Sequence, residues 1–286
     1  MLRSLLIIGV VCCILSSACK KESTTVEPPP EDTSKIDTPK VDTPQYKLIW
    51  SEEFEYSGLP DPAKWGYEIG FIRNEEDQYY EQAKLENSKV ENGMLFITST
   101  YDSTRTHAIT SASIMTKDKM EFIYGKLEAR IKMPAGKGAW PAFWTVGVNR
   151  ETIGWPACGE IDIMEWLGSA PQYIFGSLHK GNASNKDNPL IRPYIVDSAN
   201  VNGLSEDFHT YGIEWDSTQI RFYVDTTSYV TYKDTDMDAS EWVQFTKPHY
   251  LLLNLARGGK SGGVIDSTRF PFTYTVDYVR YYRKEK

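Results

Sequence analysis

Hydrophobic and polar residues alternate with a period of two along several short stretches of the chain. The alternation covers residues 125–133, 209–215 and 220–224, and Val276 with Tyr278 repeats it. In the first stretch the apolar side consists of Leu127, Ala129, Ile131 and Met133. Such alternation predicts half-buried β-strands. No long stretch has a helical period, so the pattern favours an all-β protein built as an antiparallel sandwich.

The N-terminus has the pattern of an export signal. Arg3 precedes an apolar run over residues 5–15, which is too short to span a bilayer. Small residues then lead to Cys19, as in bacterial lipoprotein signals, although Ser16 stands where such signals usually have Leu. We predict that residues 1–18 are a signal peptide, that Cys19 is lipidated, and that the protein is anchored in a bacterial envelope. Secretion without an anchor is the alternative.

Residues 19–45 differ in composition from the rest of the chain. After Cys19 they contain no aromatic residue and are rich in Pro, Thr and charged side chains. Such a segment buries too little apolar surface to offset its ordering entropy, so it is predicted to be a disordered tether. Residues 46–286 form one predicted folded domain. With Cys19 lipidated, Cys158 would be the only other cysteine of the mature chain and would have no disulfide partner.

The charge balance restricts the partners. The formal net charge is −8, which argues against nucleic acid and against a basic membrane-surface helix. Aromatic residues make up 13% of the chain. That content suits either a β-rich core or a cleft that stacks aromatic rings against sugars, and composition does not choose between them.

Residues 155–166 contain the strongest chemical signal. Read as a strand, the segment places Glu160 and Asp162 on one face and the isoleucines between them on the other. Strict alternation would turn Glu165 toward the core, where an unpaired carboxylate is costly. A β-bulge near Met164 would return it to the face of the other two acids. We therefore predict a bulged strand with three acids on one cleft.

Three acids on one cleft fit retaining glycoside hydrolysis. That chemistry needs a carboxylate nucleophile and a carboxylic acid about 5–5.5 Å apart. A third negative charge nearby would raise the pKa of the acid that must stay protonated. On spacing alone, a solvated acidic strand edge remains the alternative.

The segment at 159–165, Gly-Glu-Ile-Asp-Ile-Met-Glu, resembles the signature of glycoside hydrolase family 16. Further segments resemble that family in the same order, and together they cover nearly all of residues 46–283; they are 74–80, 138–144, 207–215, 253–259 and 276–282. The extra Met164 resembles the laminarinase-like branch, whereas lichenase-type members lack this residue.

The resemblance implies a β-jelly-roll sandwich of the concanavalin A-like type with a concave substrate cleft. It implies Glu160 as nucleophile, Glu165 as acid/base and Asp162 as the assisting acid. The implied substrate is a β-1,3-glucan or a mixed β-1,3/1,4-glucan, and the chemistry requires no cofactor. Three departures stand out, because Glu75, Asp77 and Arg257 occupy positions where the family usually has Asn, Leu and a small apolar residue.

Other residues are candidates for sugar contact or metal binding. Trp140 and Trp155 flank Gly and Pro and are expected to be exposed sugar platforms, whereas Trp144 suits the core equally well. The resemblance implies that His179 lies at the cleft, with Asn74 and Arg105 as weaker candidates. It also implies a possible structural Ca²⁺ at Asp277 with the Gly93 carbonyl. A lone His or a surface Asp has an ordinary structural interpretation as well.

Two function classes are consistent with these observations. The first is a monomeric, endo-acting glucan hydrolase, and the second is a non-catalytic carbohydrate-binding lipoprotein on the same sandwich. The intact set of Glu160, Asp162 and Glu165 favours the enzyme, since a pure binder has no need of it. Within the enzyme class, agar and xyloglucan are alternative substrates.

Overall fold

The computed structural model describes residues 45–181, 187–195 and 203–285. The predicted signal peptide, the lipidation site Cys19 and the tether up to residue 44 lie outside these residues, and the predictions for them stand as they were made. In the described part the helices are single turns, at Arg150–Ile153, Gly203–Glu206, Ala239–Trp242 and Gly259–Gly262. None of them is long and apolar enough to cross a membrane. Short 3₁₀ turns lie at Asp234–Asp236, Val243–Thr246 and Ser267–Arg269.

Two large sheets make up the described chain, with strands numbered in chain order. The outer sheet contains β1 (Tyr46–Glu52), β3 (Tyr79–Tyr80), β4 (Ser88–Glu91), β5 (Met94–Tyr101), β6 (Ile109–Ser111), β8 (Gly125–Lys132), β13 (His209–Trp215), β14 (Gln219–Val224), β15 (Thr227–Lys233) and β17 (Phe272–Lys284). The inner sheet contains β2 (Gly66–Tyr67), β7 (Ser113–Met115), β9 (Ala139–Gly147), β10 (Glu160–Trp166), β11 (Tyr173–His179), β12 (Leu190–Ile195) and β16 (His249–Arg257).

Strand pairing confirms the antiparallel sandwich. The inner sheet runs β12-β11-β10-β9-β16-β7-β2, and the outer sheet runs β15-β14-β13-β8-β17-β5-β6-β3, with β1 on β17 and β4 on β5. Pairing is antiparallel throughout the strands described, except between β3 and β6. Neighbours such as β8 and β17 are far apart in sequence, as expected for a jelly roll rather than a simple meander.

One buried apolar cluster joins the two sheets. Phe143, Ile161 and Leu253 of the inner sheet belong to the same cluster as Leu127 and Ile213 of the outer sheet. Full burial of each such side chain contributes about 1.5–3 kcal/mol before the entropy cost is subtracted. This cluster fixes the inner sheet, so the opposite faces of β9, β10 and β16 are held rigidly toward the cleft.

A second, smaller apolar cluster lies on that opposite face. Trp144 and Val146 of β9 pack there with Tyr250 and Leu252 of β16, and with the free, buried Cys158. β9 and β16 are therefore buried on both faces over their whole length. Only part of the cleft face is left open, and this part contains the acids of β10.

The predicted strand alternation is confirmed in β8, β13 and β14, but it is wrong at the end of the chain. In β17 Val276 is buried, yet the core face continues through Val279 and Tyr281 instead of Tyr278. The register against β8 shifts between Val276 and Tyr278, so Asp277 is an inserted residue. An insertion of one residue exchanges the two faces of a strand, which a period-two reading does not anticipate.

Candidate active site

The acids of β10 lie around a β-bulge. Against β9, Asp162 pairs with Trp144 and Met164 with Phe143, which leaves Ile163 as the extra residue. The register against β11 shifts between Asp162 and Glu165. The side chains of Ile163 and Met164 are both buried in the main core. The bulge predicted near Met164 is confirmed.

The bulge places three carboxyl groups on one side of the strand. Glu160, Asp162 and Glu165 all line the cleft, together with Ala142 and Asn254 of the neighbouring strands. Asp162 is buried, and the two glutamates are partly exposed. Because Ile163 and Met164 both point to the core, Glu165 is returned to the face that strict alternation would have denied it.

Two tryptophans hold the outer acids. The indole N–H of Trp140 donates to Glu165 Oε1 at 2.9 Å, and the indole N–H of Trp155 donates to Glu160 Oε2 at 3.1 Å. Trp140 comes from β9, whereas Trp155 lies in the connection before β10. Each glutamate is therefore oriented by an aromatic ring that also forms the cleft wall.

His179 connects the central acid to the far wall. Its Nε2 lies 3.2 Å from Asp162 Oδ2 and 3.9 Å from Glu160 Oε1, and its Nδ1 lies 2.9 Å from Asp187 Oδ2. Burial alone would lower the pKa of His179, but the hydrogen bond and charge of Asp162, with Glu160 and Asp187, raise it to about 11. The imidazole is therefore a cation at neutral pH that donates from both nitrogens.

His179 with Glu160 and Asp162 is also the place where a metal ion would be sought. Their ligand atoms lie within 4.8 Å of one another. A doubly protonated imidazole has no free lone pair for a metal. The cluster therefore fits a hydrogen-bonded charge arrangement better than a metal centre.

A chain of buried hydrogen bonds forms the cleft floor. The Trp144 indole donates to Asn254 Oδ1 at 2.7 Å, and Asn254 Nδ2 donates to the Tyr80 hydroxyl at 3.0 Å. The Tyr80 hydroxyl and Gln78 Nε2 both donate to Glu76 Oε2, at 3.1 and 2.7 Å. Burial raises the pKa of Glu76 despite these donors. Glu76 is therefore a fourth carboxyl group lining the cleft with the three acids of β10.

A cationic group faces the acids from the opposite wall. The Arg73 guanidinium lies over the Trp144 ring, 5.0 Å from its centre, and forms an ion pair with Glu68. Glu68 is held in turn by the Ser113 hydroxyl at 2.7 Å and lies 4.0 Å from Arg150. Arg73 and Arg150 both line the open part of the cleft with Glu160.

The environments of the two outer glutamates are related but not equal. Burial and then the charge of Asp162 raise the pKa of both Glu160 and Glu165. His179 and Arg73 lower the pKa of Glu160, and the Trp140 hydrogen bond and His179 lower that of Glu165, to which Glu76 adds a raising charge. Both glutamates thus have raised pKa values of similar size, so the roles of nucleophile and acid follow from the family resemblance and not from this electrostatic comparison.

The open cleft has room for sugar units. Its volume is about 370 Å³, and its walls carry Trp140, Trp144, Trp155, His179 and Ile191. Hydrolysis of a glycosidic bond requires one carboxylate and one carboxylic acid. A pair of carboxyl groups in an aromatic-walled cleft provides both, and the reaction needs no cofactor.

Comparison with known proteins identifies the family. The family model of the glycosyl hydrolases family 16 matches residues 74–280. The chain belongs to this family. It is 39% identical over 252 residues to a beta-glucanase of Rhodothermus marinus, covering 84% of this chain and 86% of that one. The predicted family is confirmed, and the chain is a glycoside hydrolase.

Solved structures give the same result. The endo-1,3-beta-glucanase (laminarinase) catalytic domain of Thermotoga petrophila is 38% identical, with a TM-score of 0.76 over 85% of this chain and 100% of that one. The laminarinase of Rhodothermus marinus is also 38% identical, with a TM-score of 0.77 over 85% of this chain and 99% of that one. These structures confirm the jelly-roll fold predicted for the family 16 enzyme.

The candidate sugar contacts are arranged differently from expectation. Trp155 is 42% exposed, as predicted, but Trp140 is only 8% exposed because β9 is covered and its N–H is used by Glu165. Trp144 borders the cleft, yet Arg73 covers its ring. His179 and Asn74 line the cleft of the family 16 enzyme.

The structure does not bring Arg105 to the cleft. It lies in the connection between β5 and β6, where it forms exposed ion pairs with Asp102 at 3.1 Å and Glu86 at 2.8 Å. The family resemblance did not indicate whether the β5–β6 connection, which carries Arg105, would fold toward the cleft or away from it. Arg105 is therefore not included among the sugar-contact residues of the family 16 enzyme.

The possible structural calcium at Asp277 and Gly93 stays a prediction. Gly93 lies in the turn between β4 and β5, and the Asp277 carboxylate accepts a hydrogen bond from Arg130 Nη1 at 2.6 Å. A guanidinium is thus the cation beside this carboxylate.

Several cleft residues had no separate signal in the sequence. Glu76 lies between Glu75 and Asp77, two of the departures from the family pattern, but it is Glu76 that lines the cleft, whereas the other two are exposed. Its burial beside Tyr80 follows from the short β3 pairing and could not be read from composition. Arg73, Arg150 and Asp187 had no motif that would have identified them.

Arg257, the third departure, lies beneath the cleft wall. It is fully buried, its guanidinium lies 3.3 Å from the centre of the Phe272 ring, and burial lowers its pKa to about 10. Its backbone N–H donates to Gln78 Oε1 at 2.6 Å. The residue thus ties the end of β16 to the segment that carries Glu76.

Proposed function

We propose that the chain is a retaining, endo-acting hydrolase of β-1,3-glucan. The observation that carries the proposal is the bulged strand β10, which sets Glu160, Asp162 and Glu165 along one aromatic-walled cleft. The similarity to a solved endo-1,3-beta-glucanase catalytic domain supports cleavage within a long chain. The relatives named beta-glucanase and laminarinase support a glucan substrate.

In the first step, we assign Glu160 as the nucleophile. Its carboxylate oxygen forms a bond to the anomeric carbon while the glycosidic C–O bond breaks. Glu165 transfers its proton to the departing oxygen, which leaves as a hydroxyl on the released chain. The cations His179 and Arg73 favour the charged form of Glu160 that this step requires.

In the second step, Glu165 has become a carboxylate and accepts a proton from water. The water oxygen attacks the anomeric carbon, and the bond to Glu160 breaks. Each step inverts the anomeric carbon, so the product keeps the β configuration of the substrate. The negative charge of Asp162 assists both steps because it raises the pKa of Glu165, which must hold a proton when the leaving group departs and accept one from water afterwards.

A substrate panel with product stereochemistry tests this function. Purified protein is incubated with laminarin, lichenan, agarose and xyloglucan, and products are followed by chromatography and proton NMR. We expect laminarin to be cut into a range of oligosaccharides whose new reducing ends are initially β. An initial α-anomer would contradict the paired-carboxylate mechanism. Faster cleavage of lichenan than laminarin would assign a mixed-linkage glucan, and absence of cleavage would favour a binding protein.

The attachment of the protein to a membrane is a separate proposal. The small residues before Cys19 and the tether after it support export and lipidation, with the catalytic domain held off a bacterial membrane as a monomer. Replacing Cys19→Ser should move the protein from the membrane fraction to the soluble fraction, because no acyl chain can then be attached. A variant that still sediments with membranes would show that lipidation at Cys19 is not the anchor.

A further inference from the structure

An exposed group of aromatic rings lies beside the cleft, outside the residues that line it. Phe71 is 62% exposed, although it is a large apolar side chain. The rings of Tyr79 and His107 stack face to face with centres 3.9 Å apart and planes within 4°. The Phe71 ring stands nearly perpendicular to both, at 5.5 and 5.6 Å. We call Phe71, Tyr79 and His107 the rim platform.

The rim platform is held in place by backbone pairing. Gly70 and Tyr80 exchange two backbone hydrogen bonds of 3.0 Å, which fixes the segment on either side of Phe71 and Tyr79. The Glu68 N–H donates to the Ser113 carbonyl at 3.0 Å, and the Lys260 N–H donates to the Asn74 carbonyl at 3.0 Å. The exposed ring of Phe71 therefore belongs to an anchored wall.

The same wall also forms part of the cleft. Arg73 and Asn74 line the cleft with Glu160, and they follow Phe71 by two and three residues. Two residues of chain span at most about 7 Å. A polysaccharide that leaves the cleft past Arg73 therefore meets the rim platform within a short distance.

The chemistry of the rim platform matches a neutral sugar chain. Exposed apolar groups this large mark a contact surface, and Ile69 and Ile72, close to Phe71 in the sequence, are also exposed. An aromatic ring offers a flat apolar face to the C–H face of a pyranose, while the tips of Tyr79 and His107 offer hydrogen-bonding groups.

We propose that Phe71, supported by Tyr79 and His107, binds glucosyl residues of a long β-glucan beyond the catalytic cleft. The proposal rests on the proposed glucan hydrolysis and extends it by an additional sugar-binding site outside the cleft. A chain long enough to reach the rim platform gains a second contact, whereas a short oligosaccharide held in the cleft does not. The rim platform would therefore make the enzyme prefer polymers over short oligosaccharides.

The test compares kcat/KM for long-chain laminarin with kcat/KM for laminaritetraose. In Phe71→Ala the ratio of the two values should fall about fivefold, which is the scale of one lost aromatic contact. Phe71→Tyr keeps the ring and should restore most of the ratio. Leu48→Ala removes an equally apolar, 47% exposed side chain from β1 of the outer sheet and serves as the matched control. Far-UV circular dichroism checks that all variants are folded.

A binding measurement separates this proposal from catalysis. In the Glu160→Gln background, Phe71→Ala should migrate faster than its parent in a native gel containing laminarin. An unchanged ratio and unchanged migration would overturn the rim platform while leaving glucan hydrolysis intact. The same result with reduced self-association in sedimentation would assign the patch to a second copy of the chain instead. Failure of the unmodified protein to cut either glucan would instead refute the proposed function.

Discussion

Buried or half-buried acids occur on both sheets, but the groups that surround them differ between the outer and the inner sheet. Glu128 of β8 in the outer sheet accepts hydrogen bonds from the Tyr223 and Tyr282 hydroxyls at 2.8 and 3.1 Å, and Lys126 lies 2.8 Å away. Each carboxylate oxygen of Glu128 therefore has a tyrosine donor, and its charge is paired with Lys126. Glu165 of β10 accepts from the Trp140 indole and lies near the negative charges of Asp162 and Glu76.

The difference explains why one acid is structural and the other can react. The interactions of a carboxylate are satisfied within the fold when both of its oxygens accept hydrogen bonds and a cation is paired with it. A carboxyl group crowded by other acids gains free energy by keeping a proton, which is the state a general acid needs.

The largest difference in turnover is expected between two variants that carry the same Glu→Gln substitution, one on each sheet. Glu160→Gln should lower turnover by at least about a thousandfold, because the amide cannot form the glycosyl-enzyme. Glu128→Gln should leave turnover close to that of the unmodified protein and cost about 1–3 kcal/mol of unfolding free energy, since a buried charge-assisted network is broken. Initial rates on laminarin and urea unfolding measure the two effects. Substantial turnover in a folded Glu160→Gln variant would remove Glu160 from the nucleophile role.

The second prediction separates the acid from the nucleophile. Glu165→Ala should lower turnover on laminarin by about 10²–10⁴-fold, because no proton reaches the leaving oxygen. An aryl β-glucoside oligomer with an acidic phenol leaves without that proton, so its first step should recover and the glycosyl-enzyme should accumulate. Mass spectrometry of the quenched protein detects the added sugar. Equal loss on both substrates would argue against Glu165 as the acid.

The third prediction concerns the alkaline side of the pH profile. Activity falls at high pH when Glu165 loses its proton, so the alkaline limb follows the pKa of Glu165. Asp162→Asn removes the neighbouring charge that raises this pKa most, and the limb of kcat/KM should move to lower pH. The substitution also lowers the pKa of His179, whose positive charge lowers the pKa of Glu165. The charge of Asp162 has the larger influence on Glu165, so the net shift is still downward. A limb that stays in place or moves upward would contradict the role of Asp162.

The smallest effect is expected from the donor on Glu165. The Trp140 hydrogen bond stabilises the carboxylate form and so lowers the pKa of Glu165. Trp140→Phe keeps an aromatic ring but removes the donor, and the alkaline limb should move to higher pH. This direction is opposite to that of Asp162→Asn. Glu128→Gln serves as the control for both profiles, and a downward shift in Trp140→Phe would be inconsistent with the hydrogen bond.

Part of the site could be predicted because its signal is local. Alternation of Glu160, Ile161, Asp162 and Ile163 fixes which side chains share a face, since successive side chains of a strand point to opposite sides. Glu165 violates that alternation, and the cost of burying it pointed to the bulge that the strand contains. The alternation of Val276 with Tyr278 missed the insertion at Asp277 because it stops short of Arg280, whose charge strict alternation would place on the core face.

Exposure of the tryptophans was harder to predict, because neighbouring strands decide it. Trp140 and Trp155 have similar Gly and Pro neighbours, but β9 lies between β10 and β16 whereas Trp155 lies in a connection. Trp140 is therefore covered and Trp155 is open. Arg105 shows the same limit, since its loop pairs with Asp102 and Glu86 on the outside of the molecule.

By itself the sequence determined the all-β class, the bulged strand and the identity of its three acids. These features depend on period-two alternation and on the cost of a buried charge, which act within a few residues. Only the tertiary structure decided that Glu76 and Arg73 join the acids, that His179 spans Asp162 and Asp187, and that Asp277 meets Arg130. Those contacts join residues far apart in the chain, and their energies depend on which strands become neighbours.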